Sequence, residues 1–133
     1  MSEEPQSMPF DRRLTAAGAA LGGLAVALGA FGAHALKARI GAEALGWWQT
    51  GVQYQMWHAL AVLAIGLAGA HRMRMPAWLM VAGAILFSAT LYAMALGAPH
   101  WLGAVTPLGG LAMIFGWALL AWRAVRAGPI SRR

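Results

Sequence analysis

Met75–Trp122 reads MPAWLMVAGAILFSATLYAMALGAPHWLGAVTPLGGLAMIFGWALLAW, 48 residues without an Asp, Glu, Lys or Arg. A helix crosses the roughly 30 Å hydrocarbon core of a bilayer with about 20 apolar residues, so this run is twice the needed length. Gly97-Ala98-Pro99-His100 breaks it in the middle, where Pro and Gly together favour a turn. The stretch therefore predicts two transmembrane helices, 76–96 and 102–122, joined by a tight turn. Towards the N-terminus, Leu14–Leu36 is a further 23 residues without formal charge. Ala44–His71 is also uncharged and is most apolar over Met56–Ala70. These runs predict spans at 14–36 and 51–70. None alternates apolar with polar residues, which excludes a transmembrane β-barrel. The expected fold is an all-α membrane protein, a four-transmembrane-helix bundle forming one domain over 14–122, with cytoplasmic tails at 1–13 and 123–133.

The composition agrees. Of 133 residues, 60% are hydrophobic and 11% charged, against about 25% charged in a soluble domain. A chain this small needs more polar surface to dissolve, so a soluble enzyme fold is excluded. Ala (30) and Gly (17) exceed a third of the chain, which suits close helix contact in lipid. Without Cys there are no disulfides, zinc–thiolate sites, iron–sulfur clusters or thiol nucleophiles. The acidic residues are Glu3, Glu4, Asp11 and Glu43, all outside the spans. With no carboxylate pair, Ser–His–Asp set or phosphate loop, hydrolase and ATPase readings fail. Arg12-Arg13 before the first span, and Ala33-His34-Ala35 at its end, resemble a cleavable leader. The apolar stretch is well beyond the roughly 7–15 residues of a signal core, so a retained helix is expected.

Lys and Arg in short flanks set orientation. Arg12, Arg13, Arg72, Arg74, Arg123, Arg126, Arg132 and Arg133 fall on one side of a four-span chain, with Lys37 and Arg39 on the other. Both termini are thus expected in the cytoplasm of a bacterial inner membrane. The net charge of +6 is an orientation signal; no basic stripe with interleaved aromatics points to nucleic acid. In the first outer loop, Leu36, Ile40, Ala44, Trp47 and Trp48 recur near helical spacing, which predicts a short helix lying in the interface. Met1–Pro9 and the residues after Gly128-Pro129 are expected to be mobile tails. In the inner loop, His71-Arg72-Met73-Arg74-Met75 holds possible Cu(I) ligands. Its alternating arginines would repel a cation, so a charged loop with lipid-facing Met is expected.

At about 100° per residue, Gly18, Gly22, Ala25, Gly29 and Gly32 share one face of the first helix. Gly109, Ala112 and Gly116 make a shorter seam on the fourth. Such seams serve either dimerisation or packing within the monomer; four spans already supply partners, so the second is expected. Polar residues inside spans must find partners. Tyr54, Gln55 and His58 share a face of the second helix with Gly51. His34 ends the first helix, Ser88 and Tyr92 lie one turn apart on the third, His100 sits in the outer turn and Thr106 opens the fourth. Nearly all fall in the outer half. They could form a haem site between two histidines, a quinone pocket or a proton-carrying cavity, or a hydrogen-bond network that fixes helix register. His34 projects roughly 160° from the glycine seam on an ideal helix, which opposes a bis-histidine haem. No carboxylate or thiol completes a metal site.

Gly29-Ala30-Phe31-Gly32-Ala33-His34-Ala35-Leu36 and Thr50-Gly51-Val52-Gln53-Tyr54-Gln55-Met56-Trp57-His58-Ala59-Leu60 resemble the leading motifs of a bacterial family of small inner-membrane proteins. That family is classified as a domain of unknown function, number 423, with eukaryotic relatives called transmembrane protein 256. Leu86-Phe87-Ser88-Ala89-Thr90-Leu91-Tyr92 resembles its third-helix motif. Thr106-Pro107-Leu108-Gly109-Gly110-Leu111-Ala112, with Gly116-Trp117, resembles its fourth. The likeness runs from about Leu14 to Trp122, with Gly51 where Ala is usual, Trp57 where Tyr or Phe is common and Ala89 where Gly is common. It implies a four-helix multi-pass membrane protein and brings no reaction, so no catalytic residue carries over.

The expected function is that of an accessory or scaffold subunit, or assembly partner, without catalysis or cofactor. Its partners would be the lipid bilayer and a larger membrane complex or further copies of itself. A haem- or quinone-binding electron-transfer component using His34 and His58 is the alternative. A minimal transporter comes third, since no charged residue lines a path.

Overall fold

The computed structural model describes residues 10–127, and this part of the chain is all-helical. The main elements are α1 (Arg12–Phe31), α2 (Ala42–Leu67), α3 (Arg74–Ala95) and α4 (Thr106–Arg126). A π-helical turn, Gly32–Leu36, extends α1, and single 3₁₀ stretches, His71–Met73 and His100–Ala104, precede α3 and α4. Three of these helical segments, Arg12–Leu36, His71–Ala95 and His100–Arg126, are long and apolar enough to cross a membrane. α2 is as long, but Gln53, Tyr54, Gln55 and His58 dilute its hydropathy.

The helices pack in chain order, α1 on α2, α2 on α3 and α3 on α4, with a thin contact between α1 and α3. α2 and α3 are the inner pair, and α3 buries half of its apolar window. Lipid tails are as apolar as Leu, so what holds such helices together is close packing and interhelical hydrogen bonding. Small residues supply the closeness. The buried positions of α2, Trp48, Gly51, Gln55, His58, Ala59, Val62 and Gly66, recur at three- and four-residue steps along one continuous face.

Apolar clusters close the two ends. At the end holding the start of α1, Leu14, Val62, Ala77, Met80 and Val81 pack together, with Leu120 of α4 against them. At the other end Leu36, Trp48 and Ala95 form the centre of a second cluster. Backbone and ionic ties fasten the first end. Asp11 caps α1, accepting from Arg13 N (3.1 Å) and Leu14 N (3.2 Å), while its own N–H donates to Gly66 O at 2.8 Å. Its carboxylate also pairs with Arg74 at 2.7 Å. The Leu14 N–H, with lesser help from Arg74, holds the Asp11 carboxyl below its ordinary value of 3.8 against the opposing effect of burial. Gly69 (φ 60°) and Gly97 (φ 96°) occupy the left-handed region, where only glycine turns without strain.

Several sequence boundaries move. The separate interfacial helix expected between Lys37 and Thr50 is not formed as such: Ala42–Thr50 is the beginning of α2. Trp48, 3% exposed, packs inward. Its ring lies 4.6 Å from that of Tyr92. The polar stretch over residues 49–55, which reads as a boundary, is mid-helix because Gly51 and Gln55 face the interior in phase with Trp48. α1 starts at Arg12 because Asp11 caps it there. α4 starts at Thr106 and carries Arg123 and Arg126 within the helix, so the first residues of the expected basic tail are helical. The tails at Met1–Pro9 and from Gly128 onwards lie outside the described residues.

Candidate functional site

Midway along the helices, between the two apolar clusters, polar side chains of α2, α3 and α4 meet. Gln55, 3% exposed, is the hub on the α1 side. Its Nε2 donates to Leu21 O of α1 at 2.8 Å, and its Oε1 accepts from Tyr92 Oη of α3 at 3.0 Å. One turn earlier, Gly51 O accepts from Ser88 Oγ at 2.8 Å. The Tyr92 ring lies directly over Gly51, where a Cβ would stand 2.7 Å from Cε1. Gly51 thus makes room for the tyrosine that reaches Gln55.

His58, 5% exposed, faces the α4 side. Trp117 Nε1 donates to His58 Nε2 at 3.0 Å. Indole is a donor only, so Nε2 must carry the lone pair and Nδ1 the proton. Nδ1 in turn donates to Tyr54 O at 2.7 Å. Both ring nitrogens are therefore engaged, and the imidazole has no lone pair left to offer a ligand. Tyr54 stacks beside His58 with centroids 6.3 Å apart and touches Phe87 of α3 at 4.7 Å.

The remaining sequence-derived candidates lie apart. Thr106 exchanges a hydrogen bond with Thr90 Oγ1 at 2.8 Å and ties the start of α4 to α3. His34 is exposed on the π-helical turn. His100 is exposed on the connecting 3₁₀ stretch, its ring edge-on to Trp47 at 5.6 Å. Gln55, His58, Ser88 and Tyr92 thus form one layer, to which Tyr54 contributes its carbonyl and ring. His34 and His100 do not join it. Among the described residues no three His, Cys, Asp or Glu side chains group as a metal set.

The glycine seams lie against neighbouring helices of the same chain. A Cβ on Gly18 would stand 2.6 Å from Leu63 N of α2, and one on Gly32 would stand 2.6 Å from Trp48 Cδ1. Gly22 and Gly29 sit over Ala59 and Val52 with more room, at 3.8 and 3.4 Å, and Ala25 between them is fully buried. On α4, a Cβ on Gly109 would stand 2.6 Å from Phe87 N of α3 and one on Gly116 would stand 2.8 Å from Met80 Cγ. Ala112 is half-buried.

Sequence reasoning missed the part played by four residues. Trp117 is a mid-helix tryptophan, whose N–H must find a partner at lipid depth; that position was a readable signal. Trp48 Nε1 donates to Leu28 O at 2.8 Å, just before the π-helical turn, and a side chain bonding into the carbonyl ladder is a recognised cause of such irregularity. Gly66 and Gly83 are close-contact points on α2 and α3 that no glycine repeat announces.

Comparison with known proteins places this architecture in a family. The family described as a protein of unknown function (DUF423) matches residues 28–110, from the end of α1 through the start of α4. The UPF0382 membrane protein YwdK of Bacillus subtilis is 47% identical over 77% of this chain and 88% of its own length. The UPF0382 inner membrane protein YgdD of Escherichia coli is 45% identical over 76% of this chain and 80% of its own. A UPF0382 membrane protein of Haemophilus influenzae is 44% identical over 73% and 81%. No solved structure matches significantly.

Proposed function

Because the chain belongs to this family of membrane proteins of unknown function (DUF423), we propose a role that such a helical bundle can fill without chemistry of its own, as an accessory or scaffold subunit of a larger inner-membrane complex. The observation that carries the proposal is the closed use of the polar side chains gathered around Gln55 and His58. Gln55, Ser88, Tyr92 and, through Trp117, His58 bond across to neighbouring helices, which fits a network that fixes helix register. Within this group each of the four side chains is engaged in a hydrogen bond. On this reading the protein holds no resident cofactor: haem ligation by His58 would have to break the Trp117 bond, and His34 is exposed on the π-helical turn. A transport path would need polar lining that this packed layer does not provide.

We further propose that α2 is the fourth span. It contacts α1 near both of its ends, at Trp48 and at Gly66, and its 26 residues extend about 39 Å at 1.5 Å per residue. Its polar side chains at Gln55 and His58 are hidden from lipid, so average hydropathy misstates the surface it presents. Arg12, Arg13, Arg72, Arg74, Arg123 and Arg126 gather at one end of the bundle, which supports both termini on the cytoplasmic side.

Affinity purification in mild detergent, followed by mass spectrometry, tests the functional reading. A larger membrane protein recovered at constant stoichiometry is the expected result. A protein recovered alone with a Soret band, or one that conducts solute in liposomes, would overturn it.

A further inference from the structure

A cavity of about 320 Å³ opens at the arginine-rich end of the bundle, lined by Arg72, Trp122, Arg123 and Arg126. Among the described residues the one ion pair joins Arg74 to Asp11, and no carboxylate of those residues pairs with these three guanidiniums. Their geometry is partly fixed. The Arg126 guanidinium lies 4.6 Å over the Trp122 ring. Arg123 donates to Arg72 O and, at 3.6 Å, to Met75 Sδ. The cavity is thus a concave cluster of positive charge braced by an aromatic ring at headgroup level.

Trp122 also lines a second, almost wholly apolar hollow of about 780 Å³, running between α3 and α4 past Met75, Leu79, Leu111, Ala112 and Phe115. Ala112 and Ala118 make it concave between larger neighbours. From Trp122 to Leu108 it follows α4 for about 21 Å at 1.5 Å per residue. That exceeds the roughly 15 Å of one leaflet, half the hydrocarbon core.

Positive charge at the mouth and a leaflet-deep apolar trough beneath it match one molecule in both parts. We propose that this face binds an anionic glycerophospholipid, its phosphate held by Arg72, Arg123 and Arg126 and an acyl chain lying along the α3–α4 trough. Charge complementarity selects the headgroup, and the continuity through Trp122 selects a ligand that is both charged and long-chained. The proposal rests on the membrane reading of the chain and not on its accessory role, so its failure would leave that role standing.

The test is native mass spectrometry of the full chain in mild detergent, titrated with phosphatidylglycerol, phosphatidylcholine or inorganic phosphate. A basic side chain near a membrane surface contributes about 1 kcal/mol towards anionic lipid, or about fivefold in affinity. Wild type is expected to retain phosphatidylglycerol several-fold better than phosphatidylcholine. Arg72→Gln and Arg126→Gln should each lower that preference about fivefold, and Ala118→Phe, which fills the trough at a lipid-facing position, should weaken both lipids. Equal retention of the two lipids by wild type would overturn the proposal. So would arginine variants that keep the preference, unchanged lipid retention by Ala118→Phe, or phosphate adducts as abundant as lipid adducts. The wild-type comparison decides even if a variant fails to fold.

Discussion

A methyl group added at Gly18 and one added at Gly22 should act in opposite directions, although both glycines lie on the same seam of α1. At Gly18 the new Cβ would stand 2.6 Å from Leu63 N, 2.8 Å from Leu63 Cα and 2.9 Å from Ala59 O. All three are backbone atoms, so no side-chain rotation relieves the clash and α1 must move off α2. Overpacking of this kind costs about 1–3 kcal/mol, and separation of the helices would also stretch the Gln55–Leu21 bond, 2.8 Å in the native packing. At Gly22 the nearest atom is Ala59 Cβ at 3.8 Å, an ordinary contact. Alanine there adds packing and removes the roughly 0.5–1 kcal/mol penalty of a mid-helix glycine. Thermal unfolding in detergent, followed by loss of the monodisperse species, should place Gly18→Ala below wild type and Gly22→Ala at or above it. Equal behaviour of the two variants, or loss confined to Gly22→Ala, would refute the α1–α2 geometry.

Tyr92→Phe removes the donor to Gln55 Oε1 and leaves a buried acceptor unpartnered, so it should cost about 1–3 kcal/mol in the same assay; an unchanged melt would show that the bond contributes nothing. Asp11 has a depressed folded pKa, so the stability it contributes is complete above the ordinary carboxylate value of 3.8 and is lost as pH falls through the lower folded value. Wild type should therefore lose its advantage over Asp11→Asn on acidification, and parallel pH profiles would contradict the role of the charge. Cysteines introduced at Ala42 and Ser131 should label from the outside and the inside of intact cells respectively; the reverse pattern would invert the proposed orientation.

The spans were legible because lipid imposes a coarse rule, a long uncharged run, and Met75–Trp122 obeys it with a turn at Gly97. α2 was only half legible. Its polar face over Gly51–His58 is hidden by partners from α1, α3 and α4, and a single sequence does not say which polar residues are hidden. The same blindness turned Trp47 and Trp48 into an expected interfacial helix, since tryptophan at a span end ordinarily sits among headgroups, whereas Trp48 fills the space over Gly32. The seam on α1 was readable as periodicity, but its gradient from tight Gly18 to roomy Gly22 depends on the opposing surface of α2. Gln55, His58, Ser88 and Tyr92 were found as intramembrane polar groups. Their partners, Tyr92 for Gln55, Gly51 O for Ser88 and Trp117 for His58, required the helices in register.

The central claim is that His58 is a structural hydrogen-bonding group, and the stability of His58→Gln set beside His58→Leu tests it most directly. Glutamine keeps an acceptor for Trp117 Nε1, whereas leucine leaves that indole N–H without its partner at about 1–3 kcal/mol; Tyr54 O keeps its backbone bond within α2 in either variant. The account predicts that the thermal stability of His58→Gln in detergent stays near wild type while that of His58→Leu falls well below it. Equal loss in both variants would mean that the imidazole itself is required, as for a ligand, and would contradict the account.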